Sequence, residues 1–199
     1  GQLGVGEAEA STPVAVDVVS SSISDVASGG WHTCAALNNG SVACWGDNQE
    51  KQVGSSHPVA DAHATYIQDY GINRNASVVR TGASHSCAID TSGDVQCWGE
   101  GADGQLGNGG TSDSLVPVNV SLPSGAKAVD LALGTLHTCA LLTNGSVMCW
   151  GDGAYGQLGA GWATTSSTTP VYTSVLGSSA RTGVAITSGY FHTCVLLDD

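Results

Sequence analysis

The chain has 199 residues, of which 28 are glycine, one Phe and one Met, and charged side chains make up only 11%. Its formal net charge is −12, and the five basic residues (Lys51, Arg74, Arg80, Lys127, Arg181) are too scattered for the clustered positive surface that phosphate-backbone binding requires, which argues against nucleic acid as a partner. No apolar run approaches membrane-spanning length, so no membrane span is expected.

The segment GQLG heads the chain at 1–4 and Pro13-Val14 follows. Next comes HTCAALNNGSVACWG at 32–46, two short apolar runs around Asn38-Asn39-Gly40. A Gly third in such a loop supplies the positive φ of a tight reversal and predicts a β-hairpin. The construction returns as HSCAIDTSGDVQCWG at 85–99 and HTCALLTNGSVMCWG at 137–151, and a fourth copy begins at HTCVLLDD, 192–199.

The register can be counted outward from the loop. With Thr143, Asn144 and Gly145 as the turn, Leu142 faces Ser146, Leu141 faces Val147, Ala140 faces Met148, and Cys139 faces Cys149. If Leu142 and Ser146 close the ladder with hydrogen bonds, the cysteines fall on a non-hydrogen-bonded rung. Cα atoms there are about 4.5 Å apart, inside the disulfide window. Disulfides Cys34–Cys44, Cys87–Cys97 and Cys139–Cys149 are therefore expected, with the partner of Cys194 beyond the last residue. Three pairs at one register argue against buried free thiols, and ten-residue spacing lacks the Cys-x-x-Cys pattern of zinc ligands. Disulfides imply an oxidising compartment, so a secreted or cell-surface location is expected.

The leading His of each copy falls at 32, 85, 137 and 192. GQLG recurs at 104–107 and 156–159 and degenerates to KQVG at 51–54, each followed by a Pro-Val pair (Pro58, Pro117, Pro170). Nothing reads as a long amphipathic helix. Short strands repeating every fifty-odd residues point to an all-β propeller. The unit boundaries read as a tail of a preceding repeat at 1–25, repeats at 26–78, 79–130 and 131–184, and a truncated repeat at 185–199, all in one partial propeller domain. Both faces of the hairpins are apolar: His137, Cys139 and Leu141 on one, Ala140, Leu142, Met148 and Trp150 on the other. Stacked neighbouring blades would cover both.

The segment HTCALLTNGSVMCWGDGAYGQLGAG (137–161) and its counterparts at 32–54 and 85–109 resemble the regulator of chromosome condensation repeat family. The resemblance implies a seven-bladed β-propeller, of which about four units are present. Cysteines on both hairpin strands are similar to the disulfide-containing, secreted or cell-surface branch of that family. A partial ring would expose sheet edges, so the chain is expected to be part of a longer polypeptide or to be completed by another chain.

The repeating His32, His85, His137 and His192 lie in successive blades, too far apart to share a metal ion, and each ring is expected to hydrogen-bond backbone within its own blade. Trp45, Trp98 and Trp150 are expected to pack blade against blade. Asp47, Asp103 and Asp152 recur with the Trp-Gly turns and read as turn chemistry. No catalytic constellation, phosphate-binding loop or metal-ligand cluster is apparent, so neither an enzyme nor a cofactor is expected.

Pro58 comes only four residues after Gly54, and 60–77 reads as compensating extra material. Its mixture of His63, Tyr66, Asp69, Tyr70 and Arg74 suits a partner-binding loop. Asn39, Asn75, Asn119 and Asn144 head Asn-x-Ser sequons and are candidate N-glycosylation sites. These features favour a non-enzymatic extracellular structural or protein-interaction module, such as a building block of a filament, matrix or surface appendage. A secreted propeller that binds or inhibits another enzyme is the alternative. Guanine-nucleotide exchange, which the family also suggests, belongs to reducing compartments and ranks last.

Overall fold

The structure is a computed structural model that describes residues 2–3, 22–54, 61–66, 75–161, 164–174 and 181–198, with 61–66 described as backbone alone. Every regular element described is a strand. Strands β1 (Ile23–Ser28), β2 (His32–Leu37), β3 (Val42–Gly46) and β4 (Asp61–Tyr66) form one antiparallel four-stranded sheet in sequence order. Strands β5 (Ala76–Thr81) to β8 (Ser114–Asn119) form a second, with β6 (His85–Asp90) and β7 (Val95–Gly99) between them. A third runs from β9 (Ala128–Leu133) through β10 (His137–Leu142) and β11 (Val147–Asp152) to β12 (Ser166–Tyr172). Strands β13 (Gly183–Ser188) and β14 (Thr193–Leu197) pair as a two-stranded fourth. These are propeller blades.

The hairpin register is the one counted from the turns. Cys139 faces Cys149 with Ala140 opposite Met148 and Leu141 opposite Val147, and Leu142 N–H donates to the Ser146 carbonyl at 2.9 Å. The equivalent rungs pair Cys34 with Cys44 and Cys87 with Cys97. All three pairs are bonded, with Cα atoms 4.0–4.1 Å apart. Gly40, Gly93 and Gly145 take φ of 84°, 83° and 76° at the third turn position, the left-handed conformation that side chains resist.

The first strand of each sheet packs on the first strand of the next, β1 on β5, β5 on β9 and β9 on β13. Arg80 on β5 ties three of them together, reaching Asp25 at 2.6 Å and Asp130 at 2.8 Å. The middle strands carry the core, and their two faces serve different neighbours. Ala140, Leu142, Met148 and Trp150 join the cluster shared with the second blade, while Cys139, Leu141, Val147 and Cys149 face Ile186 and Val195 of the fourth.

One polar joint repeats between blades. The carbonyl of Gln52 accepts both Ser86 Oγ–H and Trp98 Nε1–H, each at 2.9 Å. The carbonyl of Gln105 accepts Thr138 Oγ1–H and Trp150 Nε1–H, again at 2.9 Å. In the first blade Trp45 Nε1–H donates to the Gln2 carbonyl at 2.8 Å. The tryptophans therefore pack between blades as expected, and each adds a directed bond to the motif that reads GQLG. The last Gly of that motif lies flush on the indole: a Cβ on Gly107 would stand 2.6 Å from Trp150 Nε1. Trp98 is fully buried, so Trp98→Ala is expected to cost about 3–5 kcal/mol through cavity and lost contacts. Urea titration of the purified variant checks this; a loss under 1 kcal/mol would mean the joint is not what holds the blades together.

Candidate protein-interaction surface

Because the strands alternate in direction, each blade has a hairpin end and a loop end. The hairpin end carries the β2–β3, β6–β7 and β10–β11 turns. The loop end carries the turns before His32, His85, His137 and His192 together with the segments after β3, β7 and β11. The backbone joins these two sets at the loop end: Asp47, Glu100 and Asp152 N–H groups donate to the carbonyls of Trp31, Ser84 and Leu136 at 2.8–2.9 Å.

The histidines correct the expectation of bonding within one blade. His32 Nε2 lies 2.8 Å from Ser86 Oγ, His85 Nε2 lies 2.8 Å from Thr138 Oγ1, and His137 Nε2 lies 2.9 Å from Thr193 Oγ1, each hydroxyl belonging to the next blade. Ser86 and Thr138 have already spent their proton on the Gln carbonyl, so they accept from the ring and fix the Nε2–H tautomer. The chain His, hydroxyl, Gln carbonyl thus crosses from one blade to the next and back. Sequence reading missed it, although the signal was present in the Thr or Ser that follows every one of these histidines. Nδ1 of all three rings is buried with no partner among the described residues. The ring sits against the Gly three positions earlier, where a Cβ on Gly82 would stand 2.7 Å from His85 Nδ1. Burial lowers the pKa of His32 to about 4, of His85 to about 3 and of His137 to about 4, His85 being pushed further by its two neighbours of the same kind. Neutral, separated and each serving one joint, these rings are structural. No group of three His, Cys, Asp or Glu side chains that could hold a metal occurs among the described residues.

The expected partner loop changes character. Asp61–Tyr66 is β4, the outer strand of the first blade, and Tyr66 lies opposite Ala43. It begins seven residues after Gly54, the spacing at which β8 follows Gly107 and β12 follows Gly159. Pro58 is therefore not the counterpart of Pro117 and Pro170, which sit inside β8 and β12 where the register shifts opposite Trp98 and Trp150. A bulge on an outer strand tolerates the missing N–H. Nine residues link β4 to β5, against eight and ten for the next two blades, so this connection is no longer than its counterparts. His63 and Tyr66 lie on β4, while Asp69, Tyr70 and Arg74 fall outside the described residues.

Two surfaces do stand out. Val147, Cys149, Leu158, Val195 and Leu197 line an open groove of about 350 Å³ beside β14, and Gln157, Tyr155 and Phe191 line it too. The corresponding residues of the second blade, Val95, Cys97 and Leu106, are buried in the cluster that holds Trp150. Cys194 on β14 is unpaired and exposed. The second surface adjoins the groove through Tyr155 and Phe191 and lies at the loop end, where Tyr155, Tyr190 and Phe191 are exposed together, ring centroids 5.5 Å apart for Tyr155–Phe191 and 6.4 Å for Tyr190–Phe191. Nothing in the repeat pattern marks these three, because their counterparts in other blades are not aromatic except Trp31.

The family model for the regulator of chromosome condensation (RCC1) repeat matches residues 92–141 and 144–196, and a second model of the same description matches 23–52, 77–105 and 128–157. The chain belongs to this repeat family. Human E3 ubiquitin-protein ligase HERC2 is 32% identical over 168 residues, covering 81% of this chain and 4% of that protein. Human WBSCR16 superposes with a TM-score of 0.82 at 22% identity, over 90% of this chain and 46% of that one. Prp20p of Saccharomyces cerevisiae, studied for its binding to Gsp1p and histones, has a TM-score of 0.77 at 16% identity, over 89% of this chain and 44% of that one. The chain thus spans less than half the length of these proteins, and at this identity the structural likeness speaks for the fold.

Proposed function

We propose that this chain is a non-catalytic extracellular or cell-surface module, a structural and protein-interaction unit of a larger assembly such as a filament, matrix or appendage. The observation that carries the reading is the open side of the third and fourth blades. The groove there repeats the lining that seats an indole between earlier blades, and Cys194 stands on the adjoining strand. A strand of the pattern Val-x-Cys-Trp-Gly, as at 42–46, 95–99 and 147–151, fits both: its cysteine opposite Cys194, its indole N–H on the Gln157 carbonyl. Further blades of the same polypeptide or another chain would supply it. Three disulfides in one geometry support an oxidising location, since they persist outside the cytosol. The candidate glycan sites agree with that: Asn39, Asn75, Asn119 and Asn144 are all exposed.

The test is the state of native material isolated without reductant. Electron microscopy and light scattering are expected to show a multi-chain or longer assembly, with Cys194 recovered in a disulfide by peptide mass spectrometry. A monomer of 19.9 kDa with a free Cys194 thiol would overturn the reading, and a discrete one-to-one complex with an enzyme would favour the inhibitor alternative.

A further inference from the structure

We infer that the loop end of the blades docks a cationic, Lys- or Arg-rich segment of a partner protein, gripped by Tyr155, Tyr190 and Phe191; this deepens the interaction-module reading and rests on it. The three side chains are 76%, 74% and 47% exposed. Clustered aromatic surface of this kind marks contact sites.

Blade stacking accounts for only part of this exposure. Glu50 and Asp103 hold the position of Tyr155 in blades that already have a neighbour, and both stay partly exposed. Ala83 and Thr135 hold the position of Tyr190, and Ser84 and Leu136 that of Phe191; none of the four is buried. Completing the fourth blade would cover the groove side of Tyr155 and Phe191, as β12 covers Gly104, and the partial exposure of the counterparts shows that the rest of the cluster would stay accessible.

Charge identifies the occupant. Among the described side chains, the loop end carries Asp47, Glu50, Glu100, Asp103, Asp113 and Asp152 against Lys51 alone, and Lys51 leans toward Asp113 at 3.5 Å. The hairpin end is nearly balanced, with Asp90, Asp94 and Asp198 against Lys127 and Arg181. The crowding is real: burial together with Glu50, Asp103 and Asp113 raises the Glu100 carboxyl above its usual range. Carboxylates steer a cation to this end, and ring faces hold it there by cation–π attraction. The four sequons all lie at the opposite end, Asn39 and Asn144 on hairpin tips, Asn75 before β5 and Asn119 at the close of β8. Glycans there would leave the loop end bare.

Fluorescence anisotropy of labelled octalysine and octaarginine peptides with the full chain, at about 50 and 150 mM salt, tests this. Tyr155→Leu with Tyr190→Leu, which keeps apolar bulk but removes the π faces, is expected to weaken binding about tenfold with an unchanged thermal midpoint. Glu50→Gln with Asp103→Asn is expected to weaken it too, while Asp94→Asn with Asp198→Asn, the same change in net charge at the other end, is not. Equal binding by the Leu variant, equal effects of the two neutralised pairs, preference for a neutral oligosaccharide, or loss of self-association in the Leu variant would each overturn the inference. Loss of native assembly with peptide binding intact would instead count against the module reading alone.

Discussion

Lowering the pH from 7 to 5 is expected to reduce the unfolding free energy by about 6 kcal/mol. His32, His85 and His137 have folded pKa values of about 4, 3 and 4, all below the ordinary 6.5. The unfolded chain therefore binds protons first. Stability is complete above pH 6.5 and is lost as the pH falls toward 4, at about 2 kcal/mol per ring by pH 5. The structural reason is plain: Nε2 already donates to the next blade, and a proton on Nδ1 would place an unpaired donor and a positive charge in a dry joint. Glu100 has the opposite sign, since its raised pKa favours the folded state as the pH falls, but it is one half-buried carboxyl against three buried rings. Urea titrations followed by tryptophan fluorescence at pH 7 and pH 5 measure the effect, and a variant with all three histidines replaced by Gln should show a nearly flat pH dependence. Equal midpoints for the parent protein at the two pH values would sink the assignment.

Reduction of the three disulfides is expected to cost about 8 kcal/mol in total. Each bond closes a loop of sequence separation 10, for which the chain-entropy account gives roughly 2–3 kcal/mol. Against total stabilities of about 5–15 kcal/mol for a folded domain, this is enough to unfold the chain at modest denaturant. The measurement is the urea midpoint with and without reductant, beside a thiol count. Native protein should expose no reactive thiol where Cys194 is bonded to a partner strand and at most that one in the isolated chain, whereas the reduced, denatured chain exposes seven. No shift of the midpoint, or more than one reactive thiol before reduction, would contradict the structure.

Local order was the part most open to reading from residues. Turn position, register and sulfur pairing all follow from where Gly40, Gly93 and Gly145 stand, because a pleated ladder repeats every two residues and a single turn sets its phase. The two-faced apolar pattern of β10 and β11 likewise announced a blade covered on both sides. Contacts between blades were less legible. No local rule says that the histidine of one unit reaches the hydroxyl of the next, since the two are 53–56 residues apart and meet only through packing. Proline misled for a related reason. Pro58 was matched to Pro117 and Pro170 by its Val neighbour, whereas the strands are spaced from the preceding glycine, and that false alignment created an insertion where the chain has none. Lys51 shows why KQVG looked degenerate: it takes φ 66° at the position of Gly104 and Gly156, a left-handed conformation that sequence identity disguised. The aromatic cluster at the loop end was invisible for the plainest reason, that Tyr155 and Phe191 come from different units.

The two sides of the joint at Gln52 and Gln105 are complementary but unlike: the earlier unit brings a carbonyl acceptor and a histidine donor, the later one an indole and the hydroxyl that both donates and accepts. Two copies of one such surface cannot satisfy each other across a twofold axis, because carbonyl would meet carbonyl and indole would meet indole. Association through these faces is heterologous, head to tail, and a heterologous contact either closes into a ring or continues without end. The small rotation from one unit to the next then decides between those outcomes.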